Sequence, residues 1–435
     1  MTNLLLPKGF RAVGWHVGIK ETKIPTTKED FGVLFSDYPT TSYSLFTQNR
    51  YPGNPIIVGK KHIQNAAIRL IVVNSGNANV ANGNEGLELA EECCLRAAKA
   101  LNIEADQVLP SSTGVIGRPM PASKILNACD QISDRLKNSN VQSFVKAILT
   151  TDQYQKAYSI QLSSGPIVTG IAKGAGMIEP NMATMLAYMV TDATIESDDL
   201  KRWLYYVASV SLNRISVDSD TSTSDTFALL ANGASRKQVI VNQTDVDKLQ
   251  SIGYSDFDSL LQMLYSLDKS SLLKATSLIQ SWLNNDLVSA EFMAASLQIA
   301  LFIARQIVAD GEGATRSFRV IVHGASDKVT ATKIGRSIVN SPLVKTAVKG
   351  ADPNWGRILM AVGKVFDVSH FDLQISIGRH QIYPEANATL NEIEQEMKNK
   401  EVDIIVKIGD GSYFEIFYGC DLTEAYVQLN SEYTT

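Results

Sequence analysis

The sequence predicts an α/β protein, because short apolar runs bounded by glycine or proline alternate with segments of helical periodicity. The run Leu70–Val73 is typical of a buried strand, and the segment Glu85–Ala100 that follows has a helical pattern. Its apolar residues recur every three or four positions, which places Cys94 on the core face of that helix. The chain shows no internal repeat and no low-complexity segment.

The second half of the chain has periodic segments of its own, so we expect a second α/β unit there, with a boundary near Asp310. Residues 237–290 are rich in Ser, Leu and Asp without strong strand signals, which indicates a small helical insertion. The other predicted elements are helices at Ser197–Asn213, Ala290–Asp310 and Thr330–Ile338, and a strand at Phe318–His323.

Composition and charge narrow the classes of partner. Of the 435 residues, 45% are hydrophobic and 20% are charged, which is enough apolar material for a large core with more than one lobe. The net charge is −5, and no run of Lys and Arg forms the positive face that nucleic acid requires. The most hydrophobic stretch, Phe292–Val308, is interrupted by polar residues and predicts a buried helix, too short and too polar to span a membrane. The first residues lack a secretory signal, so we expect a cytoplasmic protein.

Cysteine and histidine spacing predicts neither a disulfide framework nor a metal site. The five histidines are scattered, without the close pairs of a helical metal motif, and no Cys-x-x-Cys is present. We therefore expect inert thiols and no metal site. The four cysteines are Cys93, Cys94, Cys129 and Cys420.

The segment Gly170–Met189 carries the most informative chemical pattern. Three glycines permit unusual backbone angles, and Pro180 and Asn181 predict a tight turn onto an apolar run that begins at Thr184. If the Thr184 hydroxyl attacks the carbonyl of Ala183, an acyl shift gives an ester that water hydrolyses. The new N-terminal threonine then carries both the hydroxyl nucleophile and its base. The base is the α-amine, whose pKa of about 7.7–8.0 leaves it partly neutral near pH 7. On composition alone, a threonine at this place is more often a helix cap or a strand residue.

The segment resembles the self-cleavage site of the ornithine acetyltransferase family, also called the glutamate N-acetyltransferase family, in which the Thr of Ala-Thr-Met-Leu becomes the new N-terminus. The similarity extends over nearly the whole chain through six further collinear motifs. It implies a multilayered α/β body of the self-cleaving, DmpA-like type with a C-terminal α/β lobe. The six motifs are Pro7–Phe10, Asn74–Asn79, Ser112–Gly117, Asp310–Thr315, Asp352–Arg357 and Asn430–Thr435.

The resemblance also implies how the chain is divided and assembled. Cleavage between Ala183 and Thr184 would give chains 1–183 and 184–435, which stay associated and pair into a heterotetramer. Residues 184–310 would complete the catalytic body, and residues 311–435 would form the C-terminal lobe, with a tail that returns to the site.

The resemblance assigns Thr113 and Gly114 to an oxyanion hole. A glycine-rich turn can aim polar groups at one point, which suits the oxyanion that forms when Thr184 attacks an acetyl carbonyl. The turn lacks the Gly-Lys-Ser/Thr ending of a phosphate-binding P-loop. A purely structural turn remains the alternative.

Six residues are expected to contact the substrate, again by resemblance. Lys173 suits a carboxylate and Glu312 suits an ammonium, since oppositely charged hydrogen bonds give affinity and orientation. Sequence alone does not decide between Thr150 and Thr151, and the spacing to Lys173 favours Thr150. The implied substrate-binding residues are Thr150, Lys173, Thr184, Glu312, Asn430 and Thr435.

These roles predict ping-pong transfer of acetyl from N2-acetylornithine to glutamate through an acetyl-Thr184 ester, a mechanism that needs no metal and no organic cofactor. They leave open whether acetyl-CoA also donates acetyl. The alternatives are a related self-cleaving aminopeptidase or amidase and an uncleaved amino-acid-binding protein. A specialised-pathway acetyltransferase is a third alternative, because Ser219, Ser224 and the insertion at 237–290 depart from the expected pattern.

Overall fold

A computed structural model of the chain describes residues 4–19, 27–65, 67–179, 185–368 and 372–432. The strands are β1 (Phe10–Trp15), β2 (Phe31–Ser36), β3 (Thr41–Phe46), β4 (Leu70–Asn74), β5 (Val108–Ser112), β6 (Lys156–Gln161), β7 (Ile167–Lys173), β8 (Leu186–Thr191), β9 (Thr194–Ile195), β10 (Ile215–Ser216), β11 (Thr226–Ala231), β12 (Gln238–Val239), β13 (Ser317–Ala325), β14 (Leu373–Ile377), β15 (His380–Tyr383), β16 (Glu401–Ile408) and β17 (Tyr413–Cys420). The α-helices are α1 (Asn54–Asn65), α2 (Gly83–Leu101), α3 (Ala122–Asp130), α4 (Ile132–Leu136), α5 (Val141–Ala147), α6 (Ser197–Val210), α7 (Gln243–Ser251), α8 (Tyr254–Tyr265), α9 (Lys269–Leu283), α10 (Leu287–Ala309), α11 (Lys328–Val339), α12 (Pro342–Gly350), α13 (Trp355–Gly363), α14 (Leu390–Met397) and α15 (Glu424–Ser431).

The body of the protein is a stack of two sheets between two layers of helices. The four-stranded sheet has the order β1-β2-β4-β5, and the five-stranded sheet has the order β3-β11-β8-β7-β6. An apolar core that includes Leu34, Val73 and Tyr188 lies between them. Helices α2 and α3 cover the outer face of the first sheet, and α6, α8, α9 and α10 cover that of the second. This arrangement confirms the predicted multilayered α/β body.

The central strands of the five-stranded sheet are apolar throughout because both of their faces are covered. All residues of β8 are buried: Tyr188 packs between the sheets, whereas Ala187 and Met189 belong to the core shared with α10. In β7, a Cβ on Gly170 would lie 2.3 Å from Cγ2 of Ile299, so glycine allows α10 to lie close to the sheet.

Helix α10 is buried in the body, as the sequence predicted, but it is longer than expected. It begins at Leu287, where the side chain of the preceding Asp286 caps it by accepting the amide of Ser289. By length and composition it is the one helix of the described residues that could cross a membrane, yet 83% of its apolar window is buried inside the protein. The expectation that this stretch is too short for a span was therefore wrong. Polar residues of this helix form hydrogen bonds inside the core. Ser296 Oγ, for example, accepts a 2.8 Å hydrogen bond from Trp203 Nε1.

The C-terminal lobe is a six-stranded sheet, β10-β17-β13-β16-β14-β15, with an apolar face covered by α11 and α13. Strand β10 comes from upstream of the boundary expected near Asp310, and its Ile215 and Ser216 pair with β17. Body and lobe therefore share this sheet. The predicted elements at Phe318–His323 and Thr330–Ile338 fall inside β13 and α11.

The other sequence predictions of local structure are confirmed with small shifts. Residues 237–290 hold the helices α7, α8 and α9, and α6 ends at Val210, three residues before the predicted end. Cys94 is buried on the core face of α2. All four cysteines are buried and unpaired.

Candidate active site

Two of the sequence motifs, Asn74–Asn79 and Ser112–Gly117, lie side by side at the carboxyl ends of β4 and β5. The amide of Thr113 donates a 3.0 Å hydrogen bond to the carbonyl of Asn74. Gly114 has φ +129°, and a Cβ there would lie only 2.2 Å from the carbonyl oxygen of Gly76, so the turn requires glycine. The structure thus contains the glycine-rich turn, and its use as an oxyanion hole stays a prediction.

Lys173 ends β7 and is partly buried beside Thr150. Its Nζ donates a 3.3 Å hydrogen bond to Thr150 Oγ1, and the choice of Thr150 over Thr151 as the substrate-binding residue stays a prediction. Burial lowers the pKa of Lys173, and the carboxyl groups of Asp152 and Asp225 offset part of that shift. A cation with so little solvation is well suited to an anionic ligand group.

An ion cluster whose side chains are fully buried lies beside Lys173 and contacts the next residue, Gly174. Asp152 Oδ1 accepts hydrogen bonds from Lys156 Nζ and from the Gly174 amide, both at 2.7 Å. Lys156 Nζ also contacts Asp310 Oδ2 at 2.5 Å, and the side chains of all three charged residues have no exposed surface. Burial favours the neutral acid in the carboxyls of both Asp152 and Asp310. The pKa of Asp152 is nevertheless held below its ordinary value by the cations Lys156 and Lys173. The pKa of Asp310 is raised, because burial outweighs its interaction with Lys156. Sequence reasoning missed this cluster, because it joins residues far apart in the chain.

Glu312 and the C-terminal tail meet the same segment from the other side. The Glu312 amide donates to the carbonyl of Ala175 at 2.9 Å, and Glu312 Oε2 accepts 2.9 Å from Asn430 Nδ2. A Cβ on Gly176 would lie 2.4 Å from the Glu312 carboxyl carbon, so glycine makes room for this carboxylate. The tail therefore returns to the site as far as Asn430, and Thr435 lies outside the described residues.

A small cavity of about 20 Å³ lies beside Lys173 and the glycine-rich turn, and is lined by Thr113, Lys173, Met185, Ser224 and Asp225, among others. Asp225 is only 2% exposed, and its Oδ2 has no hydrogen-bond partner within the described ranges. Burial raises the pKa of the Asp225 carboxyl well above its ordinary value, and Ser222 and Lys173 only partly offset this.

Sequence reasoning also missed Asp225. The available signal was its place between a Ser- and Thr-rich run and the fully buried strand β11, where a carboxylate is unexpected. A larger groove of about 490 Å³ lies along α6 and α7, and none of the predicted site residues lines it. In the part of the chain that the structure describes, no group of three or more His, Cys, Asp or Glu could hold a metal ion.

The predicted cut falls in the connection between β7 and β8. Pro180, Asn181, Ala183 and Thr184 lie outside the described residues, so the tight turn, cleavage site and nucleophile remain sequence predictions. The chain after this connection is fixed, because the Thr226 amide donates to the carbonyl of Met185 at 2.9 Å.

The two serines that depart from the expected family pattern both lie near this site. Ser219 has φ +63°, a conformation that favours glycine, and it directly follows Asp218. Ser224 lines the cavity beside Asp225.

Comparison with known proteins assigns the chain to a family. The family model of the ArgJ family matches residues 11–435. The chain is 37% identical to the arginine biosynthesis bifunctional protein ArgJ 2 of Clostridium acetobutylicum, over all of this chain and 99% of that protein. It is 34% identical to the glutamate N-acetyltransferase Oat2 of Streptomyces clavuligerus, over 99% of this chain and 98% of that protein. A solved structure, the ornithine acetyltransferase of Mycobacterium tuberculosis in complex with ornithine, is 29% identical, with a TM-score of 0.37 over 41% of this chain and 94% of that chain.

Matches of this length and identity define the protein as an enzyme of arginine biosynthesis. The chain belongs to the ArgJ family.

Proposed function

We propose that this enzyme transfers acetyl from N2-acetylornithine to glutamate, through an acetyl ester on Thr184 that becomes available after self-cleavage at Ala183–Thr184. The observation that carries the proposal is the convergence of Thr113, Lys173 and Asp225 on one cavity beside Met185, the residue that follows Thr184 in the chain. The names of the relatives supply the substrates, and the site supplies the charges that would bind them.

Ornithine and glutamate share an α-carboxylate and an α-amine but differ at the tip of the side chain. We assign the carboxylate to Lys173, whose Nζ already donates to Thr150 Oγ1. Glu312 is assigned to an ammonium group, with Asn430 orienting its carboxylate through Nδ2. In N2-acetylornithine the free ammonium is at the side-chain tip, so Glu312 would bind that tip. Glutamate would occupy the same pocket in turn with its α-carboxylate on Lys173.

In the first half-reaction, Thr184 Oγ forms a bond to the acetyl carbonyl carbon while its proton passes to the α-amine of the same residue. Thr113 and Gly114 stabilise the oxyanion, because donors held in a rigid turn need no reorganisation when negative charge develops. The C–N bond then breaks, the ornithine nitrogen takes the proton, and ornithine leaves. An acetyl-Thr184 ester remains.

In the second half-reaction, the neutral amine of glutamate forms a bond to the ester carbonyl carbon and gives one proton to the α-amine of Thr184. The C–O bond of the ester then breaks, the Thr184 oxygen takes up that proton, and N-acetylglutamate leaves. Acetyl-CoA could also acetylate Thr184. The described residues do not indicate whether N2-acetylornithine is the sole acetyl donor or acetyl-CoA is a second one. The proposal includes chains 1–183 and 184–435 held together in a cytoplasmic heterotetramer.

The test is the release of ornithine from N2-acetylornithine in the absence of glutamate. We expect a burst of about one ornithine per site followed by a stall, because the ester must be shielded from water for transfer to exceed hydrolysis. Adding glutamate should discharge the ester as N-acetylglutamate, and double-reciprocal plots should give parallel lines.

Three other results would contradict the proposal. Continuous ornithine release without glutamate would identify a hydrolase of the aminopeptidase or amidase type. Intersecting lines without an acetylated chain would indicate direct transfer between two bound substrates. No ornithine release at all would leave an amino-acid-binding protein.

A further inference from the structure

Hydrogen bonds with Asp218 and its neighbour Val217 fix the chain just before the predicted cut. Asp218 accepts hydrogen bonds from the amides of Met177 and Ile178, both at 2.7 Å. The carbonyl of Ile178 accepts from the Val217 amide at 2.7 Å. Met177 has φ +55°, so the chain turns sharply here and the paired carboxylate fixes that turn.

Glu179, the last described residue before the cut, is bound at its backbone and at its side chain. Its amide donates to Asp220 and its carbonyl accepts from Thr221 Oγ1, at 3.0 and 3.1 Å. Its Oε1 accepts hydrogen bonds from Arg336 Nη1 at 2.9 Å and from Asn340 Nδ2 at 2.8 Å. Arg336 lies in the last turn of α11, and Asn340 is the C-cap residue that directly follows this helix.

The C-terminal lobe thus contacts the chain at Glu179, directly before the connection that holds the predicted cut. Glu179 precedes the predicted cut, whereas Arg336 and Asn340 follow it by more than 150 positions. The ion pair is partly shielded, since the Glu179 side chain is 17% exposed and that of Arg336 is 30% exposed. A shielded pair with a second hydrogen bond can orient a segment better than a solvated surface pair can.

We propose that Glu179 is a positioning residue for self-cleavage, and that α11 holds the upstream end of the cleavage segment through Arg336 and Asn340. The inference rests on the proposed self-cleavage. Only residues 180–184 separate Glu179 from Met185, and Met185 is itself hydrogen bonded to β11. Fixing both ends of so short a connection reduces the conformations open to the peptide bond between them.

The contact has a second consequence once the chain is cut. Glu179 then belongs to chain 1–183, whereas its partners Arg336 and Asn340 belong to chain 184–435. The same ion pair and hydrogen bond would retain the new carboxyl-terminal end of the first chain against the lobe.

The experiment follows the fraction of cut protein with time after a pulse of synthesis of the full chain, on denaturing gels. We expect Glu179→Ala to be cut about tenfold more slowly than the wild type, because small displacements of a reacting segment carry large rate costs. Glu179→Gln and Asn340→Ala should be intermediate, since each keeps part of the contact. Once fully cut, Glu179→Ala should transfer acetyl with a kcat within about twofold of wild type.

The matched control is Glu401→Gln, which removes another ion pair between body and lobe, to Arg305 on α10, with side chains 28% and 32% exposed. It should be cut at the wild-type rate. Equal cleavage rates for wild type and all Glu179 and Asn340 variants would overturn the inference alone. Equal slowing by Glu401→Gln would also overturn it, because any loosening of the lobe would then suffice. A wild-type chain that is never cut would instead reject the proposed function, and the inference with it.

Discussion

An ion cluster of the body and an ion pair of the C-terminal lobe differ strongly in exposure. The body contains a cluster beside Lys173 whose side chains have no exposed surface, formed by Asp152, Lys156 and Asp310. In the lobe, an ion pair such as Lys407–Asp410 lies at the surface, with side chains 35% and 91% exposed.

The strands of the two regions differ in the same sense. Every residue of β8 and β11 is buried, whereas β16 alternates strictly between buried and partly exposed residues. Strand β16 therefore has one fully buried face, covered by helices, whereas β13 and β17 of the same sheet also contribute residues to the core of the body. The buried cluster of the body holds charges where apolar residues would be more stable, and such buried charges are typical of functional sites.

The largest effect that should separate the two regions is on stability. In the uncut Thr184→Ala background, Lys156→Met should lower the free energy of unfolding by about 3–5 kcal/mol, because it leaves two buried carboxyls without their cation. Lys407→Met in the lobe should leave that free energy unchanged within error. Chemical denaturation of both variants measures the difference. Equal effects at the two sites would show that the buried cluster is not distinct from a surface pair.

The next effect is on the reaction rather than on stability. Thr113→Val keeps the shape of the side chain but removes its hydroxyl, and should lower kcat by about 100-fold with a smaller change in KM, because the oxyanion exists only along the reaction path. Thr332→Val, on α11 of the lobe, serves as the control and should leave both constants unchanged. A variant of Thr113 that changed KM alone would place this residue in ground-state binding instead.

The smallest effect is a dependence of stability on pH. Burial raises the pKa of Asp225, so the folded uncut chain binds this proton more tightly than the unfolded chain does. The resulting stability is complete below the unfolded pKa of about 3.9 and is lost as pH rises towards the folded pKa. In the Thr184→Ala background, Asp225→Asn should remove this loss, and its advantage in melting temperature should grow from pH 4 to pH 7. An advantage that stayed constant with pH would contradict the buried, unpaired carboxyl.

Periodicity predicted the local structure well because it depends on neighbouring residues. The stripe through Cys94 predicted α2, and the apolar stretch Phe292–Val308 predicted a buried helix. The length of α10 was underestimated, because its first turn is set by the cap at Asp286 rather than by apolar spacing. The stacking of two sheets was implied by family resemblance, since the pairing of distant strands leaves no periodic signal in one sequence.

The site was predictable only where a motif marked it. Thr113, Lys173 and Glu312 were found through resemblance, and the structure brings them to one region. Asp225 and Glu179 were not predicted, because each looks like an ordinary polar residue until the structure shows its burial or its distant partner. Glu179 contacts Asn340 161 positions away, a separation that no local pattern can indicate.

The most direct test of the central claim is the intact mass and N-terminal sequence of the purified protein. We predict two chains, residues 1–183 and 184–435, with the second beginning Thr-Met-Leu-Ala. Thr184→Ala should give one uncut, inactive chain, and Thr184→Ser should still be cut, at a lower rate, because its hydroxyl is retained. A single wild-type chain of 435 residues, or a second chain that begins at any other residue, would contradict Thr184 as the nucleophile.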